Sequence, residues 1–105
     1  MFYFNLDENN NPVKCDIKDW SKLYETKDGE ERRRVALDEF NNYEISTVFL
    51  GLDYGHGFTR KPLLFETMIF GNGKCDGYQT RCSTWEEAVK MHQDAIDWIK
   101  DRCDD

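Results

Sequence analysis

The chain has 105 residues, of which 33% are charged, 39% hydrophobic and 14% aromatic, and its formal net charge is −7. This length and composition predict one folded domain over residues 1–105 and exclude a disordered segment, and no apolar run is long enough to cross a bilayer. The acidic balance argues against direct nucleic-acid binding, which needs clustered Lys and Arg, and favours a partner with a basic surface. The first residues do not form a signal peptide, so we expect the protein in the cytoplasm.

The N-terminal third predicts a hairpin followed by one helix. Residues 1–6 and 12–15 have the composition of two short strands, and the stretch rich in Asp and Asn between them is typical of a turn. Asp16 then caps a helix over residues 17–26, which we expect to end at Gly29. The charged stretch that follows Gly29 is expected to be a solvated entry to the next strand.

The centre of the chain predicts the core of a sheet. Residues 43–52 and 62–71 are rich in β-branched and aromatic side chains, which indicates two central strands. Both faces of the first strand are largely apolar, so at least one side is expected to be covered by helix. A strand over residues 35–40 precedes this pair and turns into it at Asn41-Asn42, and a last short strand is expected over residues 78–82.

The clearest local signal is the start of a long C-terminal helix. Ser83 with Glu86, or Thr84 with Glu87, forms a capping box, and the helix is expected to run to about Cys103. One arc of the helix is apolar and predicts its buried face, which comprises Trp85, Ala88, Val89, His92, Ala95, Ile96, Ile99 and Cys103. The chain therefore predicts an α+β fold in which an antiparallel sheet of four to six short strands packs with two helices, the C-terminal one long.

The opposite arc of this helix is acidic. Glu87, Asp94 and Asp101 recur at intervals of two turns, with Asp97 on the same arc. Such a stripe is most often a solvated helix face. The alternative hypothesis is that it presents negative charge to the basic groove of a partner protein, and that Trp98 beside it serves as an apolar anchor.

The four cysteines lack any C-x-x-C spacing. In a reducing cytoplasm this pattern predicts free, partly buried thiols, with a zinc site or a disulfide as alternatives. A zinc site would draw on Cys75, Cys82 and His92, although His92 also fits a core histidine that is satisfied by hydrogen bonds. No cofactor is otherwise expected.

The loop between the two central strands places His56 between two glycines. This histidine is either a contact for a partner or part of a structural turn. An enzyme would need to gather His56, Asp53, Glu66 and a cysteine into one cleft, and no known catalytic motif supports that arrangement, so we predict that the protein is not an enzyme. Glu66 is expected to be partly buried, with a raised pKa or an arginine partner.

Several blocks of the sequence together resemble a family of small uncharacterised proteins that are encoded by phages and prophages. The blocks are Ser46-Thr-Val-Phe-Leu-Gly-Leu-Asp53, Pro62-Leu-Leu-Phe-Glu-Thr-Met-Ile-Phe-Gly71 and Ser83-Thr-Trp-Glu-Glu-Ala88. The family usually has a histidine where Tyr54 stands and an aromatic residue where Cys82 stands. The resemblance implies a phage or prophage origin.

Small acidic phage proteins often inhibit host defence, as anti-CRISPR proteins do. We therefore predict that this protein binds and inhibits a host protein, a nucleic-acid-handling defence effector, in the cytoplasm of the infected bacterium. The predicted contact is the acidic and aromatic surface of the C-terminal helix, and the predicted partner offers a basic groove; neither nucleic acid nor membrane is expected to bind directly. The alternatives are a phage accessory protein of structural or housekeeping role and a small metal-dependent hydrolase.

Overall fold

A computed structural model describes residues 2–53 and 61–102 of the chain, and these residues form an α+β fold. In chain order the elements are β1 (Phe2–Leu6), β2 (Pro12–Cys15), α1 (Ile17–Glu25), α2 (Lys27–Arg33), β3 (Arg34–Phe40), β4 (Tyr43–Phe49), β5 (Leu52–Asp53), β6 (Phe65–Phe70), β7 (Gln79–Cys82) and α3 (Trp85–Arg102). The predicted fold class, with its long C-terminal helix, is confirmed.

The described strands form two sheets, where the sequence predicted one. The smaller sheet has the order β2-β1-β5 and the larger has the order β3-β4-β6-β7, and every neighbouring pair is antiparallel. The larger sheet contains both predicted central strands, β4 and β6, in its middle. The hairpin between β3 and β4 turns at Asn41 and Asn42, as predicted.

The long strand predicted over residues 43–52 is interrupted because Leu50 and Gly51 leave the larger sheet. The carbonyl of Leu50 accepts hydrogen bonds from Trp20 Nε1 at 3.0 Å and from the Tyr24 hydroxyl at 2.7 Å. Gly51 then adopts a φ of +68°, and a side chain there would collide with the carbonyl of Phe4. The chain therefore changes direction, and β5 continues in the smaller sheet.

The N-terminal helical region contains two helices, where the sequence predicted one. Asp16 caps α1 as expected, since its Oδ1 accepts the N–H of Asp19 at 2.9 Å. Thr26 ends α1 and caps α2, with its hydroxyl oxygen accepting the N–H of Gly29 at 2.9 Å. The predicted stop at Gly29 is wrong: Gly29 lies inside α2, packed so closely on Lys22 and Leu23 that a side chain would not fit.

The helix α3 packs on one face of the larger sheet and organises two apolar clusters. The first lies near its start and includes Phe4, Leu6, Leu23, Phe49, Leu64, Phe65 and Ala88. The second lies near its end and includes Tyr43, Ile45, Ile69, Cys75, Ala95 and Ile99. Val89, predicted on the buried arc, is 52% exposed because it lies at the margin of that arc, beyond the contact with the sheet.

Candidate functional site

The start of α3 is fixed by a capping box between Thr84 and Glu87. The hydroxyl oxygen of Thr84 accepts the N–H of Glu87 at 3.1 Å, and Glu87 Oε1 accepts the N–H of Thr84 at 3.1 Å. This is the second of the two predicted capping boxes. One carboxylate oxygen of Glu87 is thereby committed to the helix start, so Glu87 contributes less than a free carboxylate to any contact with a partner.

The predicted acidic stripe lies on the side of α3 that faces away from the sheet. We name this surface the acidic crest and define it by five exposed carboxylates: Glu86, Glu87, Asp94, Asp97 and Asp101. The opposite side of the helix is buried against the sheet. The sheet therefore holds the crest rigidly on an element of regular structure, and the crest projects into solvent.

Within the crest, local partners engage only some of the carboxylates. Lys90 Nζ lies 3.0 Å from Asp94 Oδ2, and the side-chain amide of Gln93 donates to Asp97 at 3.1 Å. In the described part of the chain, Glu86 and Asp101 have neither an ion pair nor a side-chain hydrogen bond. The five carboxylates outnumber Lys90 on this arc, while Lys74 and Arg102 line the same cavity as Asp101.

Trp98 lies at the margin of the crest and has a structural role that the sequence did not reveal. Its ring centroid is 4.6 Å from that of Tyr78, and the Arg102 guanidinium lies 5.2 Å from the Trp98 ring on α3. The side chain is half-buried against the second apolar cluster. Trp98 and Asp101 also line one cavity of about 460 Å³, so the aromatic ring and a crest carboxylate do lie side by side.

A buried polar network crosses the middle of the larger sheet. His92 is 5% exposed, and its Nδ1 lies 2.7 Å from Thr47 Oγ1 while its Nε2 lies 2.8 Å from Asp38 Oδ2. Thr47 in turn shares a hydrogen bond with Thr67 on the neighbouring strand. The prediction of a satisfied core histidine is confirmed. Sequence reasoning missed Asp38, whose only signal was its place on the same strand face as Ala36 and Phe40.

The network combines residue types that occur in catalytic triads, but its geometry does not suit a nucleophile. The side chain of Thr47 is fully buried, so its oxygen cannot reach a substrate. Cys82 on β7 is another nucleophilic residue of the same sheet. Burial raises the pKa of the Cys82 thiol to about 11, so the thiol is protonated and weakly reactive near neutral pH.

The three proposed zinc ligands are not assembled into a site. Cys75 is disulfide-bonded, both ring nitrogens of His92 have partners, and the Cys82 thiol donates to the carbonyl of Thr84 at 3.6 Å. In residues 2–53 and 61–102, no group of three or more His, Cys, Asp or Glu side chains is placed to hold a metal ion. The free thiol predicted at Cys75 is wrong, whereas those at Cys15 and Cys82 are confirmed.

The residues proposed for an enzymatic cleft are not brought together where they can be described. Glu66 Oε2 accepts from Arg81 Nε at 2.9 Å, which confirms the predicted arginine partner, and it lies in the larger sheet. Asp53 belongs to β5 in the smaller sheet. His56, and with it the prediction for the loop between the central strands, lies outside the described residues, as does Cys103.

Comparisons with known proteins add no assignment to this geometry. The chain matches no protein-family model, no curated protein and no solved structure. None of the helices in the described ranges is both long enough and apolar enough to cross a membrane. The resemblance to phage-encoded proteins therefore stays a prediction.

Proposed function

We propose that this chain is a small phage-encoded binding protein that inserts its acidic crest into a basic groove of a host protein. The groove is proposed to be the one through which a defence effector handles nucleic acid, in the cytoplasm of the infected cell. The protein then acts as a competitive inhibitor and performs no chemistry itself. The exposed carboxylates of α3 occupy the positions that phosphates would otherwise take.

The observation that carries this proposal is the position of Asp101 in the last turn of α3. Carboxylates stabilise the start of a helix and destabilise its end, where the backbone dipole is negative, by about 0.3–1 kcal/mol each. The capping box accounts for the presence of a carboxylate at Glu87, and the ion pair with Lys90 partly accounts for the one at Asp94. Neither explanation applies to Asp101, whose carboxylate has no partner in the described residues. Lys100 and Arg102 in the same turn suit the helix dipole, and contact with a basic partner supplies a reason for the carboxylate of Asp101 between them.

The packing of α3 on the sheet also supports a role of the crest in binding a partner. Glu86 and Asp101 are fifteen residues apart, so the crest extends over about 22 Å of helix axis. Because the opposite face of the helix is packed in the core, the carboxylates are preorganised and little conformational entropy is lost when they bind. Trp98, which borders Asp101, adds an apolar contact at the edge of the same surface.

Affinity capture tests the proposal. The purified protein is immobilised and exposed to lysate of a bacterial host, in parallel with a variant that carries Lys at Asp94, Asp97 and Asp101. We expect a nucleic-acid-binding host protein to be retained by the natural protein, to be lost with the variant, and to be displaced by added duplex DNA or RNA. Retention of the same protein by both would refute the crest as the contact.

A further inference from the structure

The second face of the larger sheet is not covered by the described helices. The helix α3 packs on one face, where it meets Asp38 and Thr47. Side chains that alternate with these residues along the strands point to the other side, which we name the outer face. Two large apolar residues on it stay exposed, Leu37 at 43% and Phe70 at 46%. The outer face thus offers apolar contacts on the side of the molecule opposite to the acidic crest.

At one end of the outer face two glutamates lie directly opposite each other. Glu39 on β3 is the register partner of Glu44 on β4. Asn41 and Asn42 form the two-residue turn of this hairpin, with φ values of 50° and 67° that are typical of a type I′ turn. In such a hairpin the pair after the turn-closing pair is not hydrogen-bonded, and its Cβ atoms are about 4.5–5.5 Å apart.

This pairing works against the stability of the hairpin. Like charges directly opposite each other on a sheet are unfavourable because they repel each other. In the described residues neither Glu39 nor Glu44 has an ion-pair partner or a side-chain hydrogen bond. The register of the hairpin keeps the two side chains opposite each other, and the folded chain by itself gains nothing from having both.

An exposed aromatic ring completes the arrangement. Phe70 on β6 is the register partner of Glu44, so Glu39, Glu44 and Phe70 form one row across three strands. They line a cavity of about 420 Å³ together with Asn42, Tyr43 and Gly71, and no Lys or Arg is among these lining residues. Lys74 lines a neighbouring cavity, which shares Asn42 and Tyr43 with the first. We name the first cavity the glutamate–phenylalanine pocket.

We propose that the glutamate–phenylalanine pocket receives an arginine side chain of a partner protein. A guanidinium group donates to carboxylates in a flat fork and stacks on an aromatic face, so one arginine can use both glutamates and Phe70. A lysine ammonium is a compact charge that is more strongly hydrated and does not form this fork. The positive charge also removes the repulsion within the glutamate pair. This site is independent of the proposed function of the crest, which lies on the opposite side of the sheet.

An NMR titration with Nα-acetyl-arginine amide tests the site. We expect saturable shifts of the backbone amides of Glu39, Glu44 and Phe70 with a Kd of about 1–10 mM, as for one isolated side chain. Nα-acetyl-lysine amide should bind at least about tenfold more weakly, because it lacks the fork. Glu44→Gln should abolish the shifts, whereas Asp97→Asn, a control on the crest, should leave them unchanged.

A second measurement checks the premise. Glu44→Gln keeps the shape of the side chain and removes the repulsion, so the melting temperature should rise by about 1–4 °C. An unchanged or lower melting temperature would overturn the claim that the pair is unfavourable. Equal binding of the lysine probe, binding of Ca²⁺ without binding of arginine, or no saturable shift with arginine would each overturn the arginine site.

Discussion

Thr47 and His92 are 45 residues apart in the sequence, and the Oγ1 of one lies 2.7 Å from the Nδ1 of the other in the interior. The direction of this hydrogen bond follows from its neighbour. An ionised Asp38 carboxylate only accepts, so His92 Nε2 carries a proton and donates to it, and the Nδ1 of a neutral ring accepts from Thr47. The Thr47 hydroxyl is then used as a donor, so Thr67 donates to Thr47. Each of the three hydrogen bonds thus has one donor and one acceptor.

The first prediction concerns how much this hydrogen-bond network contributes to the free energy of unfolding. Thr47→Val removes the hydroxyl and leaves His92 Nδ1 buried without a donor, which should lower the free energy of unfolding by about 1–3 kcal/mol. Thr80→Val is the matched control, since Thr80 is the register partner of Thr67 and its buried hydroxyl has no partner in the described residues. That substitution should be neutral or stabilising. Urea denaturation of both variants measures the difference.

Equal losses for the two valine variants would contradict this assignment. They would show that Thr47 matters for its packing, and that its hydrogen bond to His92 contributes little. A double-mutant cycle with His92→Leu separates the pairwise contribution, because the loss from Thr47→Val should shrink once the ring is gone.

The second prediction concerns Cys82. Burial, and to a smaller extent the Glu87 carboxylate, raises the pKa of this thiol from its ordinary value of 9.0 to about 11. Between these values the unfolded chain has lost the proton and the folded chain keeps it, so the free energy of unfolding falls as pH rises from 9 to 11. Cys82→Ala should make this decline less steep. Urea titrations at several pH values measure it.

The same pKa predicts how fast Cys82 reacts. The thiolate is the nucleophile, so alkylation of Cys82 by iodoacetamide at pH 8 should be slower in the native protein than in protein unfolded by urea. Mass spectrometry of the labelled peptides gives both rates. Equal rates would contradict the raised pKa.

The helix starts were predictable from the sequence because capping depends on residues close in the chain. Asp16 caps α1 through Asp19, and Thr84 pairs with Glu87, each over three residues. The buried arc of α3 was visible for the same reason, since helical periodicity is local. The β-branched and aromatic composition of β4 was equally local. The fold class could therefore be predicted from these local patterns.

The remaining features depend on contacts that are distant in sequence. The long strand breaks where the side chains of Trp20 and Tyr24 donate to the Leu50 carbonyl. No pattern within the strand itself predicts these two contacts. Likewise the pairing of Asp38 with His92 requires the register of β3 on β4 and the position of α3 above both. The outer-face row was missed because it joins three strands, and each of its residues is ordinary when seen alone.

The third prediction concerns the disulfide of Cys75, which is buried in the second apolar cluster. Cys75→Ser should raise the number of thiols that react with iodoacetamide under denaturing, non-reducing conditions, because the partner of Cys75 is set free. Peptide mapping of the labelled protein identifies that partner. The free energy of unfolding should fall by about 2–4 kcal/mol when the cross-link is lost.

Cys15→Ser is the matched control for this experiment, since Cys15 is a free thiol. It should lower the thiol count by one and leave the cross-linked peptides unchanged. A thiol count that does not rise in Cys75→Ser would contradict the disulfide.

The last prediction concerns the acidic crest and its proposed partner. Reversal of Asp94, Asp97 and Asp101 to Lys should leave the protein folded, because exposed substitutions change stability by no more than about 0.5 kcal/mol each. Cations near the end of α3 also interact favourably with the helix dipole, which offsets the loss of the Lys90 ion pair. Circular dichroism and urea denaturation check the fold.

Binding of the captured partner should depend both on ionic strength and on the charge of the crest. The affinity of the natural protein should fall as ionic strength rises, since exposed charges are screened over about 8 Å at physiological salt. The reversed variant should bind at least about a hundredfold more weakly and with little dependence on salt, because the complementary charges are gone. The control reverses three exposed carboxylates away from the crest, those of Glu8, Glu25 and Glu31, and changes the net charge equally. If both triple variants lose affinity alike, net charge alone governs binding, and the crest is an ordinary solvated helix face.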